Sequence, residues 1–347
     1  MVERTLSYSE ALREALEQEM AADPTVVLFG LGVDDPKAIL GTTKGLLERF
    51  GQERVFDTPL AEDGMTGAAI GMALAGLRPV HVHIRMDFLL LAMNQIINMA
   101  AKMHYMFGGD LYAPLVIRSM IGKSWGQGPQ HSQSIYPLFM NVPGLKIVAP
   151  TTPYDAKGCM VQAIRDNNPV LYIEHRHLYY QKGYVPDHLY TVPFGKARVL
   201  NPGDDITLVG VSQMAVECLR AARHLEEIGI KAEVIDPVSL YPLDIETISA
   251  SAVRTGHLII VDNSWMTCGA GSEILAVLAE RGLLKKIDVR RMGFAHTACP
   301  TTPTLEAHFY PDAGKIAVSA HDMLSPGKRW SPAGELHREE VEFKGPF

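Results

Sequence analysis

Short apolar runs alternate with amphipathic stretches along the first half of the chain. Ser7 and Glu10 have the spacing of a capping box, and the apolar positions after them recur at helical period, which predicts a first helix over 8–21. Buried strands are predicted at 26–31, 80–84, 115–117, 146–148 and 170–173. Helical patterns lie between strands at about 62–75, 89–106 and 152–166. Strands that alternate with helices predict a parallel sheet covered on both faces.

The pattern lapses between Gln181 and Asp204 and then resumes. The second alternation predicts strands at 206–210, 231–235 and 258–262 and helices at 213–228, 243–251 and 271–282. The fold class is therefore α/β, with two parallel-sheet α/β domains. We predict these domains at 1–190 and 205–323, a linker at 191–204 and an extended tail at 324–347.

Composition narrows the classes of function. With 47% hydrophobic and 20% charged residues the chain has enough apolar surface to fold compactly. A net charge of −7 provides no basic surface for nucleic acid or anionic membranes. The four cysteines have neither metal-ligand nor redox spacing, and the N-terminus lacks the apolar run of a signal peptide. We expect a cytoplasmic protein that binds neither nucleic acid nor membrane.

Two acidic residues, Glu62 and Asp63, open a Gly- and Ala-rich helix within 56–76. On their own, carboxylates in a first helical turn are typical of capping and of interaction with the helix dipole. The functional alternative is that one of them faces a dry pocket, where burial would raise its proton affinity. The small residues predict that this helix packs very closely against its neighbours.

This segment resembles the beta subunits of the thiamine-diphosphate-dependent first component of 2-oxo acid dehydrogenases, which include the pyruvate, branched-chain and acetoin enzymes. The resemblance runs nearly from end to end of the chain. Its blocks are FDTPLAEDGMTGAAIGMALAG at 56–76, NQIIN at 94–98, QHSQ at 130–133, PGLK at 143–146, PYDAKG at 153–158, IRDNNPV at 164–170, PLD at 242–244 and PTTP at 300–303. It implies a transketolase-like pyrimidine-binding domain, a transketolase C-terminal-like domain and an oxidoreductase that acts on an oxo-group donor.

The same resemblance implies the roles of individual residues. Glu62 would hydrogen-bond a ring nitrogen of the cofactor's aminopyrimidine and so activate the cofactor. Leu60 and Phe88 would also contact the cofactor, Phe88 as the flat apolar face against the ring. His131 matches the family's active-site histidine, which is placed for proton transfer or hydrogen bonding to substrate.

A potassium site of some relatives, built largely of backbone carbonyls, is also implied by the resemblance. Its counterparts in this chain are Leu115, Ala163, Asp166 and Asn168, with Ile164 beside them.

One family motif is missing. Relatives anchor the diphosphate through a divalent ion held by a Gly-Asp-Gly segment and a later asparagine, an oxygen-ligand site suited to magnesium. The nearest approach in this chain is Gly109-Asp110-Leu111. The resemblance therefore implies an alpha-type partner that holds the diphosphate and magnesium, with the cofactor bridging the subunits and two copies of each chain.

Departures from the family pattern concentrate around the presumed substrate pocket, at 81–85, 118–130 and 262–264. The candidate pocket residues are Arg85, Lys123 and Gln130.

Three functions stay open. The first is cleavage of a 2-oxo acid or an acyloin such as acetoin, with acyl transfer to the lipoyl group of an acyltransferase component. The second is a split transketolase-like or acyloin-forming carboligase. The third is a non-catalytic assembly subunit, against which the joint presence of Glu62, Phe88 and His131 argues.

Overall fold

The computed structural model describes residues 4–35, 37–122 and 126–334. The chain divides into two compact units. The first contains the described residues up to 122 together with 138–194. The second contains the described residues of 123–137 and those from 195 onward. The predicted limits at 190 and 205 stay a prediction, and the tail beyond 334 lies outside the described residues.

The first unit alternates strands and helices. Its strands are β1 (Thr5–Ser7), β2 (Val26–Gly30), β3 (Val55–Asp57), β4 (Arg78–His83), β5 (Val116–Ile121), β6 (Lys146–Val148), β7 (Val170–His175) and β8 (Lys182–Tyr184). Its helices are α1 (Tyr8–Ala22), α2 (Leu46–Phe50), α3 (Glu62–Leu74), α4 (Met103–Met106), α5 (Pro137–Met140) and α6 (Pro153–Arg165). The predicted capping box is present at the start of α1, where the Ser7 side chain accepts from the Glu10 N–H.

A parallel sheet forms the centre of this unit. Its strands run in the order β6-β7-β5-β4-β2-β3, and every neighbouring pair is parallel. Strands β2, β5 and β7 are buried along their whole length, as expected of a parallel sheet covered on both faces. β1 and β8 form a separate antiparallel pair.

The predicted helix over 89–106 is broken in the structure. A 3-10 segment at Met86–Ala92 is followed by a π turn at Gln95–Met99, a 3-10 turn at Ala100–Lys102 and then α4. Asn94 and Asn98 are poor helix formers within this stretch, which weakens a continuous helix. We call Met86–Met99 the broken helix below.

The second unit is a smaller α/β body. Its strands are β9 (Arg198–Asn201), β10 (Ile206–Gly210), β11 (Ala232–Asp236), β12 (Ser239–Tyr241), β13 (His257–Trp265) and β14 (Asp288–Phe294). Its helices are α7 (Gln213–Glu226), α8 (Ile245–Thr255), α9 (Ala270–Glu280), α10 (Pro303–Phe309) and α11 (Ala313–Leu324). The sheet order is β14-β13-β10-β11-β9, parallel except for the antiparallel edge strand β9, which lies within the predicted linker.

Apolar side chains cover both faces of this second sheet. Ile259 and Val261 of β13 pack with residues of α7 and α11, while Leu258 and Ile260 pack with residues of α8 and α9. Successive residues of β13 thus pack against helices on opposite faces of the sheet, because the side chains of a strand alternate between its two faces. The predicted class of two α/β domains is confirmed.

Candidate active site

Glu62 is the first residue of α3, five residues after Asp57 at the end of β3. The preceding residue, Ala61, provides no side-chain cap, so the first N–H groups of α3 are not satisfied by a capping side chain. The Glu62 side chain is half-buried, and Leu60 beside it is 81% exposed. The carboxyl thus lies just beyond the carboxyl end of a parallel strand, the edge at which α/β proteins bind ligands.

The small residues of α3 do not all pack closely within the chain, contrary to the sequence expectation. A side chain at Gly67 would meet Gln95 of the broken helix at 3.6 Å. At Gly64 and Gly71 no atom of the described residues lies within 4 Å of the position that a side chain would take, and both glycines are exposed, as is Ala68. One face of α3 is therefore packed and the other is open.

Phe88 lies on the broken helix, which packs against α3. Its ring is half-buried, and its N–H donates to the Arg85 carbonyl at 3.1 Å. The Arg85 side chain is buried. Burial lowers the pKa of Arg85, and the neighbouring Asp87 opposes that shift. The predicted cofactor-binding residues Leu60, Glu62 and Phe88 and the predicted pocket residue Arg85 all belong to the first unit.

Two histidines of β4, His81 and His83, lie in the stretch 81–85, and the sequence assigns these two residues no role beyond a departure from the family pattern. Both are buried on the same face of the strand. His83 Nε2 lies 3.2 Å from the hydroxyl of Thr66, on α3. The His81 ring stacks on Phe29 at 4.6 Å and meets the His83 ring edge-on at 4.2 Å.

Burial keeps both imidazoles neutral. It lowers the pKa of His81 to about 4, and burial followed by the proximity of His81 lowers the pKa of His83 well below its usual value. Two histidines at alternate positions of the otherwise apolar run 79–84 are the sequence signal that could identify this pair.

The segment that contains Gln130 and His131 belongs to the second unit. His131 is half-buried and its N–H donates to the Gly128 carbonyl at 3.4 Å, while Gln130 is exposed. A side chain at Gly126 would lie 2.5 Å from the Thr301 carbonyl, and one at Gly128 would lie 2.6 Å from the Thr301 methyl. Both glycines have positive φ. Lys123, the remaining predicted pocket residue, lies outside the described residues.

The end of β13 anchors the same segment. Tyr136 donates its hydroxyl to Asp262, and Ser264 donates to the Ser134 carbonyl at 2.6 Å. Burial raises the pKa of Asp262, and the Tyr136 hydroxyl opposes that shift. Asp262 and Ser264 lie in the stretch 262–264, where the sequence predicts a departure from the family pattern, and their hydrogen bonds hold the segment that contains His131.

The residues of the predicted potassium site lie where α6 ends and β5 begins. The Leu115 carbonyl accepts from the Val170 N–H at 2.9 Å, and the Ala163 carbonyl accepts from the Asp166 N–H at 3.3 Å. The Asp166 side chain accepts from the Asn168 N–H at 2.9 Å. The Arg78 guanidinium donates to the Asp166 carbonyl at 3.1 Å, so a positive group already lies at that oxygen. The potassium site stays a prediction.

Within residues 4–35, 37–122 and 126–334, no group of three or more His, Cys, Asp and Glu side chains could hold a metal ion. No helix in the same ranges is long and apolar enough to cross a membrane.

Two family models match the chain. "Transketolase, pyrimidine binding domain" matches residues 4–182, and "Transketolase, C-terminal domain" matches residues 195–316. Together the two matches account for most of the chain.

Curated relatives match over nearly their whole length. The beta subunit of acetoin:2,6-dichlorophenolindophenol oxidoreductase from Cupriavidus necator is 41% identical, over 94% of this chain and 99% of that protein. The beta subunit of 2-oxoisovalerate dehydrogenase from Bacillus subtilis is 39% identical, over 92% of this chain and 98% of that protein.

A solved structure titled "Split gene transketolase, inactive beta4 tetramer" superposes with a TM-score of 0.73 at 23% identity, over 92% of this chain and 98% of that one. At this identity the likeness concerns the fold alone.

Proposed function

This chain belongs to the transketolase-like beta subunits of the thiamine-diphosphate-dependent dehydrogenases, and on that premise we propose that its Glu62 carboxyl activates the cofactor. The observation that carries the proposal is the place of Glu62. The side chain is half-buried at the uncapped start of α3, within the match to the pyrimidine-binding domain.

The residues present fit the proposed cofactor. A carboxyl can hydrogen-bond a ring nitrogen, and the half-buried ring of Phe88 provides an apolar face suited to an aromatic ring. When bound, thiamine diphosphate supplies the nucleophilic carbon of its thiazolium ring. Glu62 would hold a proton at the pyrimidine nitrogen, while Leu60 and Phe88 would exclude water from that contact.

An alpha-type partner is the second part of the proposal. The sequence lacks the Gly-Asp-Gly segment that would hold magnesium and the diphosphate, so we place these ligands on the partner. Two neighbouring surfaces support such an assembly. One is the open face of α3, and the other is the broken helix beside it, where no residue from 88 to 101 is charged. Large apolar side chains are also exposed in this part of the first unit, namely Leu60, Leu91, Tyr105 and Met106. Exposed apolar surface of this kind is typical of a protein interface.

The proposed assembly contains two copies of each chain and delivers its acyl group to a lipoyl acyltransferase component. His131 would exchange a proton with the substrate. Arg85, Lys123 and Gln130 remain proposed pocket residues.

Replacement of Glu62 tests the catalytic assignment. In the enzyme assembled with its alpha chain, Glu62→Gln should reduce turnover by at least about a hundredfold, the lower range for a lost acid-base group. Asp63→Asn is the matched control, since Asp63 is an exposed carboxylate in the same helical turn. An equal loss of turnover in both variants, or no loss of turnover in either, would refute the role of Glu62.

The substrate is tested with the same assembled enzyme. We propose acetoin or a branched-chain 2-oxo acid, because the curated relatives named above act on these. Dichlorophenolindophenol should be reduced when the right substrate is added. Ketol formation without reduction of the dye would instead favour the carboligase alternative.

A further inference from the structure

A single buried hydrogen bond ties the beginning of α3 to the sheet beneath it. The Thr66 hydroxyl lies 3.2 Å from Nε2 of His83, and both side chains are buried. Within the described part of the chain, no other α3 side chain makes a hydrogen bond, and Ala61 gives the helix no side-chain cap. The Gly and Ala residues around Thr66 have no large side chains that could interlock with the neighbouring elements. Packing holds one face of α3, and the contact of Thr66 with His83 adds a directional polar link at its first turns.

Thr66 and Glu62 are one helical turn apart, at i+4 and i, so their side chains lie on the same side of α3. Thr66 is also the first fully buried residue of the helix, and the half-buried Glu62 precedes it. A shift or rotation of α3 at Thr66 would move the Glu62 carboxyl with it. The Thr66 contact thus controls where the carboxyl is presented.

The hydrogen bond has a defined direction. Nδ1 of His83 has no hydrogen-bond partner among the described residues. Buried N–H groups without a partner are rarer than buried acceptors without one, so the proton belongs on Nε2. In this tautomer the imidazole donates to Thr66 Oγ1, and the hydroxyl proton of Thr66 stays free to turn toward the start of the helix.

We propose that His83 is a positioning residue for Glu62 and acts through Thr66. This inference rests on the proposed function, because it gives His83 a role only if the Glu62 carboxyl engages the cofactor. His81 provides the ring against which His83 lies, at 4.2 Å, and Phe29 stacks on His81 at 4.6 Å.

Paired substitutions test the hydrogen bond in the enzyme assembled with its alpha chain. Thr66→Val keeps the shape and removes the hydroxyl, while Thr66→Ser keeps the hydroxyl. His83→Leu removes the donor, while His83→Gln retains an N–H near the position of Nε2. We expect Thr66→Val and His83→Leu to weaken thiamine diphosphate binding about three- to tenfold, the range of one hydrogen bond. Thr66→Ser and His83→Gln, which keep the hydrogen-bonding group, should bind the cofactor nearly as tightly as the unaltered enzyme. Binding is measured by quenching of tryptophan fluorescence.

A second set of variants separates positioning from a merely structural role. If Thr66 acts through Glu62, Thr66→Val should not weaken cofactor binding further in a Glu62→Gln background. The acid limb of the pH profile of kcat/KM should also shift in Thr66→Val and return in Thr66→Ser. An equal Thr66→Val effect with and without the Glu62 carboxyl, or no effect at all, would overturn the inference.

These outcomes are distinguishable from failure of the proposed function. Normal turnover by Glu62→Gln would refute the function and with it the role of His83. Inactive Glu62→Gln together with unaltered cofactor binding in Thr66→Val and His83→Leu would refute the positioning role alone. If Thr66→Val does not fold, the contrast between His83→Gln and His83→Leu decides the matter.

Discussion

Arg118 of β5 and Glu174 of β7 form an ion pair in the interior of the first unit, with Arg118 Nε 2.6 Å from Glu174 Oε1. Both side chains are 0% exposed. The Arg118 guanidinium donates a second hydrogen bond to Glu174 at 2.9 Å and a third to the Thr42 hydroxyl at 3.0 Å, and the Tyr179 hydroxyl donates to Glu174 at 2.9 Å. The pair thus connects two central strands with the loop that contains Thr42.

Removal of either Arg118 or Glu174 should destabilise the folded chain strongly, because it leaves the charge of the other residue uncompensated in the core. We expect Arg118→Ala to lower the free energy of unfolding by about 3–5 kcal/mol. The half-exposed pair of Arg49 and Glu17 provides the contrast, and Arg49→Ala should cost less than about 1 kcal/mol. Urea unfolding of both variants checks this, and equal losses would contradict it.

The histidine pair predicts how stability depends on pH. The folded chain holds the pKa of His81 at about 4 and that of His83 also below 6.5, so the unfolded chain binds more protons between these values. Stability should therefore fall as pH drops from about 6.5 toward 4. For His81 alone the loss is about 3 kcal/mol, from 1.4 kcal/mol per pKa unit.

Thermal unfolding at pH 7, 5.5 and 4.5 measures this loss. His81→Leu should flatten the dependence over that range. Acids with lowered pKa values, such as Glu10 and Asp23, lose their contribution only at lower pH. An unchanged slope in His81→Leu would show that other groups cause the loss.

Much of the fold follows from the sequence because its signals are local. The capping box at Ser7 and the apolar runs of the parallel strands depend on neighbours in the chain, and the structure has helices and strands there. The short pair of β1 and β8 was not predicted, since its pairing joins residues almost the whole first unit apart. The breaks in the helix over 89–106 were not predicted either, because the low helix propensity of Asn94 and Asn98 does not show where a helix breaks.

The candidate site was less accessible to sequence reasoning. Glu62 and His131 are predicted by resemblance, whereas the contact of Thr66 with His83 joins a helix and a strand and leaves no motif. Spacing along the chain cannot show that these two side chains meet. The sequence also did not indicate that Gly64 and Gly71 would face away from the other described residues.

Gly128 should not tolerate a side chain. Its φ of +69° disfavours alanine, and the added carbon would lie 2.6 Å from the Thr301 methyl. Gly282, with φ of +67° and open space around it, is the matched control. We expect Gly282→Ala to lower the free energy of unfolding by about 1–2 kcal/mol. Gly128→Ala should lower it by about 1–3 kcal/mol more, because the added carbon also meets Thr301.

Gly128→Ala should also reduce turnover of the assembled enzyme, because the His131 N–H bonds the Gly128 carbonyl. Chemical unfolding and steady-state kinetics check the two parts of this expectation. Equal stability of Gly128→Ala and Gly282→Ala would mean that the contact with Thr301 relaxes without cost.

The open face of α3 should matter for assembly and not for folding of the single chain. Ala68→Arg places a charge on that face, and Ala21→Arg places the same charge at the exposed end of α1. We expect Ala68→Arg to prevent co-elution with the alpha chain in size-exclusion chromatography, and Ala21→Arg to have no effect. Normal assembly of Ala68→Arg would exclude this face from the interface.

Activation of the cofactor by Glu62 is the central claim, and proton exchange at the thiazolium carbon measures it most directly. Deuterium exchange of bound thiamine diphosphate can be followed by quenched-flow NMR in the assembled enzyme, without any substrate. We expect exchange in Glu62→Gln to be slower than in the unaltered enzyme by about two orders of magnitude or more, while Asp63→Asn exchanges normally. Exchange at the normal rate in Glu62→Gln, with the cofactor fully bound, would contradict the account.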